Sequence, residues 1–191
     1  MLAFSAVRNN DRVGLLLFTN EVEVQVPPAK GGEHVLRVVR DVLCHEPVGR
    51  GTDLAKALGT ITRSLRKRAI VFVVSDFLSP GGVADYEFAL RVAARKHDVV
   101  AVAVSDPREE TLPDLGLVQV EDAESGRTRL VDTSSRAWRE RYRAERLSRV
   151  EERNALLRRI GVDLLDVSTV GGYDKALMAF FRARERRARL A

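Results

Sequence analysis

Cysteine is almost missing from this sequence: Cys44 is the one cysteine among 191 residues. A single thiol excludes an internal disulfide and is typical of a reducing compartment, so we expect a cytoplasmic location. The apolar neighbours Val42 and Leu43 predict that the thiol is buried and inert.

Long hydrophobic runs are missing as well. The longest apolar stretches, Val13–Phe18, Ala69–Val74 and Val99–Val104, are far shorter than the ~20 residues that a membrane helix needs. The first residues, Met1–Val7, are too short for the apolar part of a signal peptide and lack a basic start. We therefore expect neither a membrane span nor a signal peptide.

Three catalytic signatures are absent: the phosphate-binding GxxxxGK[ST] loop, the GxSxG nucleophile turn and the zinc-binding HExxH helix. The histidines, His34, His45 and His97, are scattered over helix and loop positions, and chance placement explains them better than a zinc site. The sequence therefore predicts a protein that is not an enzyme.

Neither sign of charge dominates, and aromatic residues make up only 6% of the chain. There are 32 Lys and Arg against 27 Asp and Glu, which leaves a net charge of +5. Nucleic-acid binding would need that excess on one face, whereas glutamates are mixed among the arginines of residues 136–159. We expect a solvated face there and no nucleic-acid partner. The alternative, DNA binding through the Arg-rich C-terminal helices, would show a steep salt dependence.

Short apolar runs alternate with amphipathic stretches along the chain. The run Ala69–Phe77 has no polar residue before Ser75 and Asp76, which is typical of a strand covered on both faces. This alternation predicts an α/β fold: one domain over residues 1–191 with a doubly wound, mainly parallel sheet. Similar runs are Arg12–Thr19, Asp98–Val104 and Val162–Val167.

Some segments depart from this alternation. Glu21–Val26 alternates strictly between polar residues and valine, which predicts a half-exposed edge strand that Pro27-Pro28 ends. The other departures are an inserted hairpin of Leu117–Val120 and Thr128–Val131 around Glu124-Ser125-Gly126, and a basic tail at residues 182–191 that we expect to fray.

Two oxygen-bearing side chains are candidate metal ligands. Thr52 lies in a Gly-rich loop, Glu46–Asp53, where a helix is predicted to begin, and Asp76 ends the buried strand. Ligands in such folds bind beyond the carboxyl ends of the strands, and hydroxyl and carboxylate oxygens suit Mg²⁺. Each residue also has an ordinary interpretation, Thr52 as the cap of its helix and Asp76 as the start of a turn.

Several strings together resemble one family. They are DRVGLLLFT (Asp11–Thr19), GRGTDL (Gly49–Leu54), VFVVSDF (Val71–Phe77), HDVVAVAVSDPRE (His97–Glu109), DAESGRTRLVDTS (Asp122–Ser134) and LLDVST (Leu164–Thr169). Over essentially its whole length the chain resembles domain of unknown function family 58, whose von Willebrand factor A-like domains are encoded beside MoxR-type AAA+ ATPases. The resemblance implies a Rossmann-like von Willebrand factor A fold with a metal-ion-dependent adhesion site. Thr52 matches the threonine of that site and Asp76 matches its aspartate.

The resemblance also implies how such a site works. A carboxylate of a partner completes the coordination of Mg²⁺, so the ion joins two proteins and catalyses nothing. The implied partners are a MoxR-like AAA+ ATPase and a client protein that bears acidic residues. We therefore expect a protein-interaction module that acts in complex assembly or maturation. The alternative is a Mg²⁺-dependent hydrolase or phosphotransferase that uses the strand-end residues Asp76 and Asp106, although no nucleophile or phosphate cradle accompanies them.

One part of the family pattern is missing, namely the D-x-S-x-S triplet that follows the central strand. The nearest strings, Asp132–Arg136 and Asp166–Val170, offer only D-x-S and lie in other elements. We therefore expect a chain truncated before Met1, without the central strand between Arg12–Thr19 and Ala69–Val74. Such a chain should bind Mg²⁺ weakly or not at all, and should aggregate or self-pair through its exposed strand edges.

Overall fold

The structure is a computed structural model that describes residues 2–110, 112–121 and 128–190. The turn predicted at Glu124-Ser125-Gly126 lies outside these residues. None of the helices in the described ranges is long and apolar enough to cross a membrane. The elements are α1 (Leu2–Arg8), β1 (Val13–Phe18), β2 (Val22–Ala29), α2 (Gly32–Cys44), α3 (Leu54–Ser64), β3 (Ile70–Ser75), a short 3₁₀ helix (Gly82–Asp85), α4 (Glu87–Lys96), β4 (Asp98–Ser105), α5 (Pro107–Glu110), β5 (Leu117–Glu121), β6 (Thr128–Asp132), α6 (Arg136–Ile160), β7 (Asp163–Ser168) and α7 (Tyr173–Leu190).

Strands β3, β4 and β7 form a parallel sheet with β4 in the middle. The register is regular, because Val73 pairs with Ala101 and Ala101 pairs with Leu164. The apolar run of β4 is buried from Val99 to Ala103, which confirms the prediction of a strand covered on both faces. β4 therefore lies at the centre of the sheet, where both faces of its apolar run are covered.

Helices cover the two faces of this sheet. α3, α4 and α6 pack on one face, where Leu90 of α4 and Leu157 of α6 are at most 1% exposed. α7 packs on the other face, where Phe180 contacts the cluster around Val100. β3 is covered less well than predicted, because Ile70 is 59% exposed and Val74 is 56% exposed.

The hairpin of β1 and β2 forms a second, antiparallel sheet. Phe18 at the end of β1 packs against the core of the parallel sheet, but β1 and β3 are not hydrogen-bonded to each other within the described residues. The described strands form a three-stranded parallel sheet and two antiparallel pairs, β1–β2 and β5–β6, so the predicted mainly parallel sheet is found only in β3, β4 and β7. No described strand lies between β1 and β3, the position from which the central strand was expected to be missing. β2 also continues through Pro27-Pro28 to Ala29, which an edge strand allows because one side of it needs no N–H donors.

Several helix ends agree with the sequence. Asn10 adopts a left-handed conformation (φ 56°) just after α1, as expected for the predicted stop at Asn9-Asn10. Ser135 caps α6 by accepting a hydrogen bond from the backbone N–H of Trp138. The ring of Trp138 stacks on Tyr142, with centroids 5.5 Å apart. Cys44 corrects a prediction, because at the end of α2 its side chain is exposed rather than buried.

The basic C-terminal segment is part of α7 rather than a fraying tail. α7 continues to Leu190. Arg184 lies between Asp98 and Asp163, with Nη2 2.5 Å from Oδ2 of the first and Nε 3.2 Å from Oδ2 of the second. These aspartates begin β4 and β7, so ion pairs attach the last helix to the amino-terminal edge of the sheet. The many charges of this segment had suggested a solvated tail. The segment is instead helical, and its ion pairs with the two aspartates explain why.

Candidate functional site

The carboxyl ends of the parallel strands meet at one edge of the sheet, which is where ligands bind in open α/β sheets. Asp76 follows β3 and Asp106 follows β4. The backbone N–H of Thr169, after β7, donates to the carbonyl oxygen of Ser105 at 3.0 Å, so the ends of β4 and β7 are joined there. Asp106 accepts a hydrogen bond from the backbone N–H of Arg108, which is the main reason its pKa is held below the usual value.

Thr52 lies directly before α3 but does not cap it. The cap is Asp53, whose carboxylate accepts a hydrogen bond from the backbone N–H of Lys56 at 2.8 Å. The N–H of Asp53 in turn donates to the carbonyl oxygen of Thr19 at 2.9 Å, which ties the start of α3 to the end of β1. The ordinary interpretation of Thr52 as a helix cap is therefore wrong.

Thr52 lines a cavity of about 370 Å³ between the start of α3 and the loop after β3. Across the cavity, Asp85 accepts hydrogen bonds from the Ser79 hydroxyl and the backbone N–H of Gly81, and these bonds lower its pKa. Tyr86 lies at the same cavity, and burial raises the pKa of its hydroxyl to about 12. The cavity thus places the hydroxyl groups of Thr52 and Tyr86 beside the Asp85 carboxylate, which is already hydrogen-bonded.

Glu23 of β2 holds the loop that leads to Thr52. Its carboxylate accepts hydrogen bonds from the Thr19 hydroxyl (2.7 Å) and from the backbone N–H of Gly49 (2.7 Å), and His45 Nε2 lies 2.5 Å away. These bonds, that of Thr19 foremost, lower the pKa of Glu23 to about 2. A Cβ at Gly49 would lie 2.2 Å from the Thr19 hydroxyl oxygen, so only glycine fits this approach. The alternating pattern had placed Glu23 on the exposed face, yet its side chain is 8% exposed.

Asp76 forms the turn that its ordinary interpretation predicts. Its Oδ1 accepts a hydrogen bond from the backbone N–H of Leu78 at 3.0 Å, which is an Asx turn. The intervening Phe77 has a left-handed backbone (φ 59°) and a buried ring. That conformation is unusual for an aromatic residue, and such strain is concentrated at functional sites.

Asp76 lines a second cavity, of about 260 Å³, between the ends of the strands and α6. Three arginines of α6, Arg146, Arg149 and Arg153, line it together with Asp166 of β7. Arg153 is only 8% exposed and its Nη2 lies 3.1 Å from Oδ1 of Asp166. Sequence reasoning had assigned these arginines to a solvated face. Their spacing of three and four residues, on the same face as Val150 and Leu157, was the signal that could have identified them.

Thr52 and Asp76 therefore lie in adjoining loops but line different cavities. Within the described ranges, no group of three or more His, Cys, Asp or Glu side chains could hold a metal ion. Mg²⁺ takes oxygen ligands in near-octahedral geometry, and guanidinium groups near Asp76 oppose a second cation there. The residues present do not by themselves fit a Mg²⁺ site.

The described fold and its carboxyl edge define a mixed α/β domain built on a parallel sheet. A comparison with protein families matches residues 1–152 to the family described as Protein of unknown function DUF58. The chain belongs to the DUF58 family. This confirms the family that the sequence strings indicated.

Curated relatives are themselves uncharacterized. Uncharacterized protein Rv1480 of Mycobacterium tuberculosis strain H37Rv is 31% identical over 180 residues, which cover 93% of this chain and 56% of that protein. Uncharacterized protein MAV169 of Mycobacterium avium is 31% identical over 165 residues, which cover 84% of this chain and 95% of that protein. The chain thus spans little more than half the length of the Mycobacterium tuberculosis relative.

A solved structure supports the fold. The crystal structure of conserved hypothetical protein BatB from Bacteroides thetaiotaomicron aligns with a TM-score of 0.54 and covers 97% of this chain and 86% of that chain. Sequence identity is 15%, so the likeness concerns the fold alone.

Proposed function

We propose that this chain is a protein-interaction module that binds an acidic region of a client protein at the carboxyl edge of its sheet and acts with a MoxR-like AAA+ ATPase. The observation that carries the proposal is the position of the loops of Thr52 and Asp76, which each open into a cavity along that edge. Loops on a rigid sheet edge are the usual place for recognition in such folds.

A von Willebrand factor A-like architecture is part of this proposal. β1 and β3 each have one edge that pairs with no other described strand. A parallel strand placed between them would join the hairpin and the three-stranded sheet into one sheet, with helices on both faces. The D-x-S-x-S triplet of the adhesion-site pattern belongs to such a strand.

This chain would supply only some of the ligands of a Mg²⁺ ion. Thr52 and Asp76 would contribute oxygen atoms only together with further ligands from outside the described residues, because two ligands in separate cavities do not fit the ion. We therefore expect the chain alone to show no saturable Mg²⁺ binding in calorimetry up to millimolar concentrations. Tight binding to the isolated chain would contradict this assignment.

The experiment is co-purification of a MoxR-type ATPase from the same genome with the tagged chain, in Mg²⁺ or in EDTA. Asp76→Asn removes the charge but keeps an oxygen for the Leu78 N–H, so the turn remains. Thr52→Ala removes the hydroxyl without uncapping α3, since Asp53 is the cap. We expect both substitutions to reduce association at least about tenfold, which corresponds to ~1.4 kcal/mol. EDTA should leave association unchanged, because the chain alone is not expected to hold Mg²⁺.

Asp132→Asn is the matched control. Asp132 is an exposed aspartate at the end of β6 that also accepts a hydrogen bond from the backbone N–H two residues on, at Ser134. The Asp132→Asn substitution should leave association with the ATPase unchanged. If Asp76→Asn and Thr52→Ala behave like this control, the two residues have no part in binding the ATPase, and the proposed site is wrong.

A further inference from the structure

One face of α6 carries charge where a helix packed on a sheet usually carries apolar residues. The positions Arg146, Arg149, Val150, Arg153 and Asn154 follow the helical spacing of a core-facing stripe, and all of them line the cavity beside Asp76. Arginine side chains are rarely enclosed without a reason, because desolvating a guanidinium group costs free energy. Arg153 is enclosed in this way, and Arg146 and Arg149 line the same cavity, which indicates a site for an anion.

The innermost arginine is held in a fixed position. Arg153 is 8% exposed, its Nη2 lies 3.1 Å from Asp166 Oδ1, and its Nε donates to Asn154 Oδ1 at 3.1 Å. Asp166 itself is 65% exposed on its side chain, so the pair opens toward solvent at the cavity. A guanidinium group that is already ordered loses little side-chain entropy when a ligand binds.

Arginines outnumber aspartates in the lining of the cavity. The lining includes three arginines and two aspartates, Asp76 and Asp166, and Asp166 already pairs with Arg153. Asp76 Oδ1 already accepts the Leu78 N–H, and Arg149 is exposed and forms no ion pair with the part of the chain that the structure describes. The cavity thus has one guanidinium group, that of Arg149, which can bind an oxyanion through two parallel hydrogen bonds.

We propose that this arginine-lined cavity binds the carboxylate of an acidic side chain on a protein partner directly, without a metal ion. The volume of about 260 Å³ is sufficient for one carboxylate side chain. A phosphate group shares the same oxyanion chemistry, and the test separates the two. The assignment to a protein partner rests on the proposed function, whereas oxyanion binding by the arginines does not.

The test measures binding of a fluorescent hexaglutamate peptide to the full chain in EDTA, with a hexaglutamine peptide of the same length as the uncharged match. We expect binding of hexaglutamate only. Arg149→Glu should weaken it at least about tenfold, the loss of one charge-assisted hydrogen-bonded pair. Arg149→Lys, which keeps the charge but loses the planar fork, should give an intermediate affinity.

Arg141→Glu is the matched control, since Arg141 is an exposed arginine of α6 that does not line the cavity. It changes the net charge by the same amount and should alter affinity less than twofold. Equal weakening by both substitutions would mean general charge attraction and would overturn the site. If Arg149→Glu does not fold, as judged by circular dichroism, Arg149→Lys against Arg141→Lys decides.

Competition with inorganic phosphate separates the two sources of oxyanion. Displacement of the peptide only at tens of millimolar phosphate supports the carboxylate assignment. Phosphate binding with no hexaglutamate binding would overturn it. If Asp76→Asn loses association with the ATPase but still binds the peptide, the result supports oxyanion binding by the arginines independently of the proposed function. If the peptide never binds, oxyanion binding by this cavity is overturned, and the ATPase experiment alone tests the proposed function.

Discussion

His97 is a buried histidine whose two ring nitrogens have no hydrogen-bond partner among the described residues. Burial, with the positive charges of Lys96 and Arg68, lowers its pKa below the ordinary value. The folded chain therefore resists protonation of the ring, whereas the unfolded chain takes up the proton near pH 6.5. Stability should be constant above about pH 6.5 and should fall as the pH is lowered from there.

This linkage predicts the behaviour of His97→Leu. Leucine has a similar volume and no polar atoms, so we expect the variant to be as stable at pH 8 or up to about 1 kcal/mol more stable. Between pH 6.5 and 5 the free energy of unfolding should fall less in the variant than in the parent chain, as measured by urea unfolding. Identical slopes in the two proteins would show that another group titrates.

Stability also depends on pH through Glu23, whose pKa is lowered to about 2, so the folded chain favours its charged carboxylate. The stability that it contributes is complete above the ordinary carboxyl pKa of about 4.3 and is lost as the pH falls toward 2. We expect Glu23→Gln to be less stable than the parent chain at pH 7, with a difference that closes by pH 2. Urea midpoints across this range measure it, and a difference that persists at pH 2 would contradict the assignment.

At the scale of elements, the edges of β1 and β3 that pair with no other described strand have the largest consequence. Open strand edges with apolar side chains favour association between chains, and Val74 on β3 is 56% exposed. We expect the isolated chain to self-associate and Val74→Lys to shift it toward the monomer in light scattering. Val170→Lys is the control, because Val170 is 77% exposed in a turn outside the strands. Equal behaviour of both variants would exclude edge pairing.

The sequence was sufficient for most elements, because apolar period and turn residues are local signals. The strands β3 and β4, the hairpin strands β5 and β6 and the stop at Asn10 were all predicted within a few residues. Pairing between strands was not predictable to the same extent, since it depends on contacts between distant segments. The alternation of the sequence predicted a mainly parallel sheet, whereas the described strands form one parallel sheet and two antiparallel pairs.

The site was less predictable than the fold for a related reason. Thr52 and Asp76 were recognised by their positions after strands, but nothing local indicated that Asp53 is the helix cap or that Glu23 is enclosed by the loop. The identity of an arginine in a helix does not indicate whether its side chain faces solvent or a cavity. Only the position of α6 against the sheet edge distinguishes Arg153 from its solvated neighbours.

At the scale of the molecule, α7 links the end of the chain to the sheet through Arg184. The guanidinium group bridges Asp98 and Asp163, and its Cζ lies 5.7 Å from the centre of the Phe180 ring. We expect Arg184→Ala to lower the free energy of unfolding by about 1–2 kcal/mol, because two partly buried carboxylates lose a partner. Arg182→Ala, at an exposed position of the same helix, should change it by less than about 0.5 kcal/mol. Equal effects would mean that general helix propensity, rather than the bridge, is responsible.

The stacking of Trp138 on Tyr142 has a practical consequence. Trp138 is the one tryptophan of the chain, and the pair lies one turn before Arg146 on α6. Tryptophan emission from this protein therefore originates at a single place, beside the arginine face. Any tilt of the helix on ligand binding would change the intensity or colour of that emission, so the molecule carries its own optical reporter.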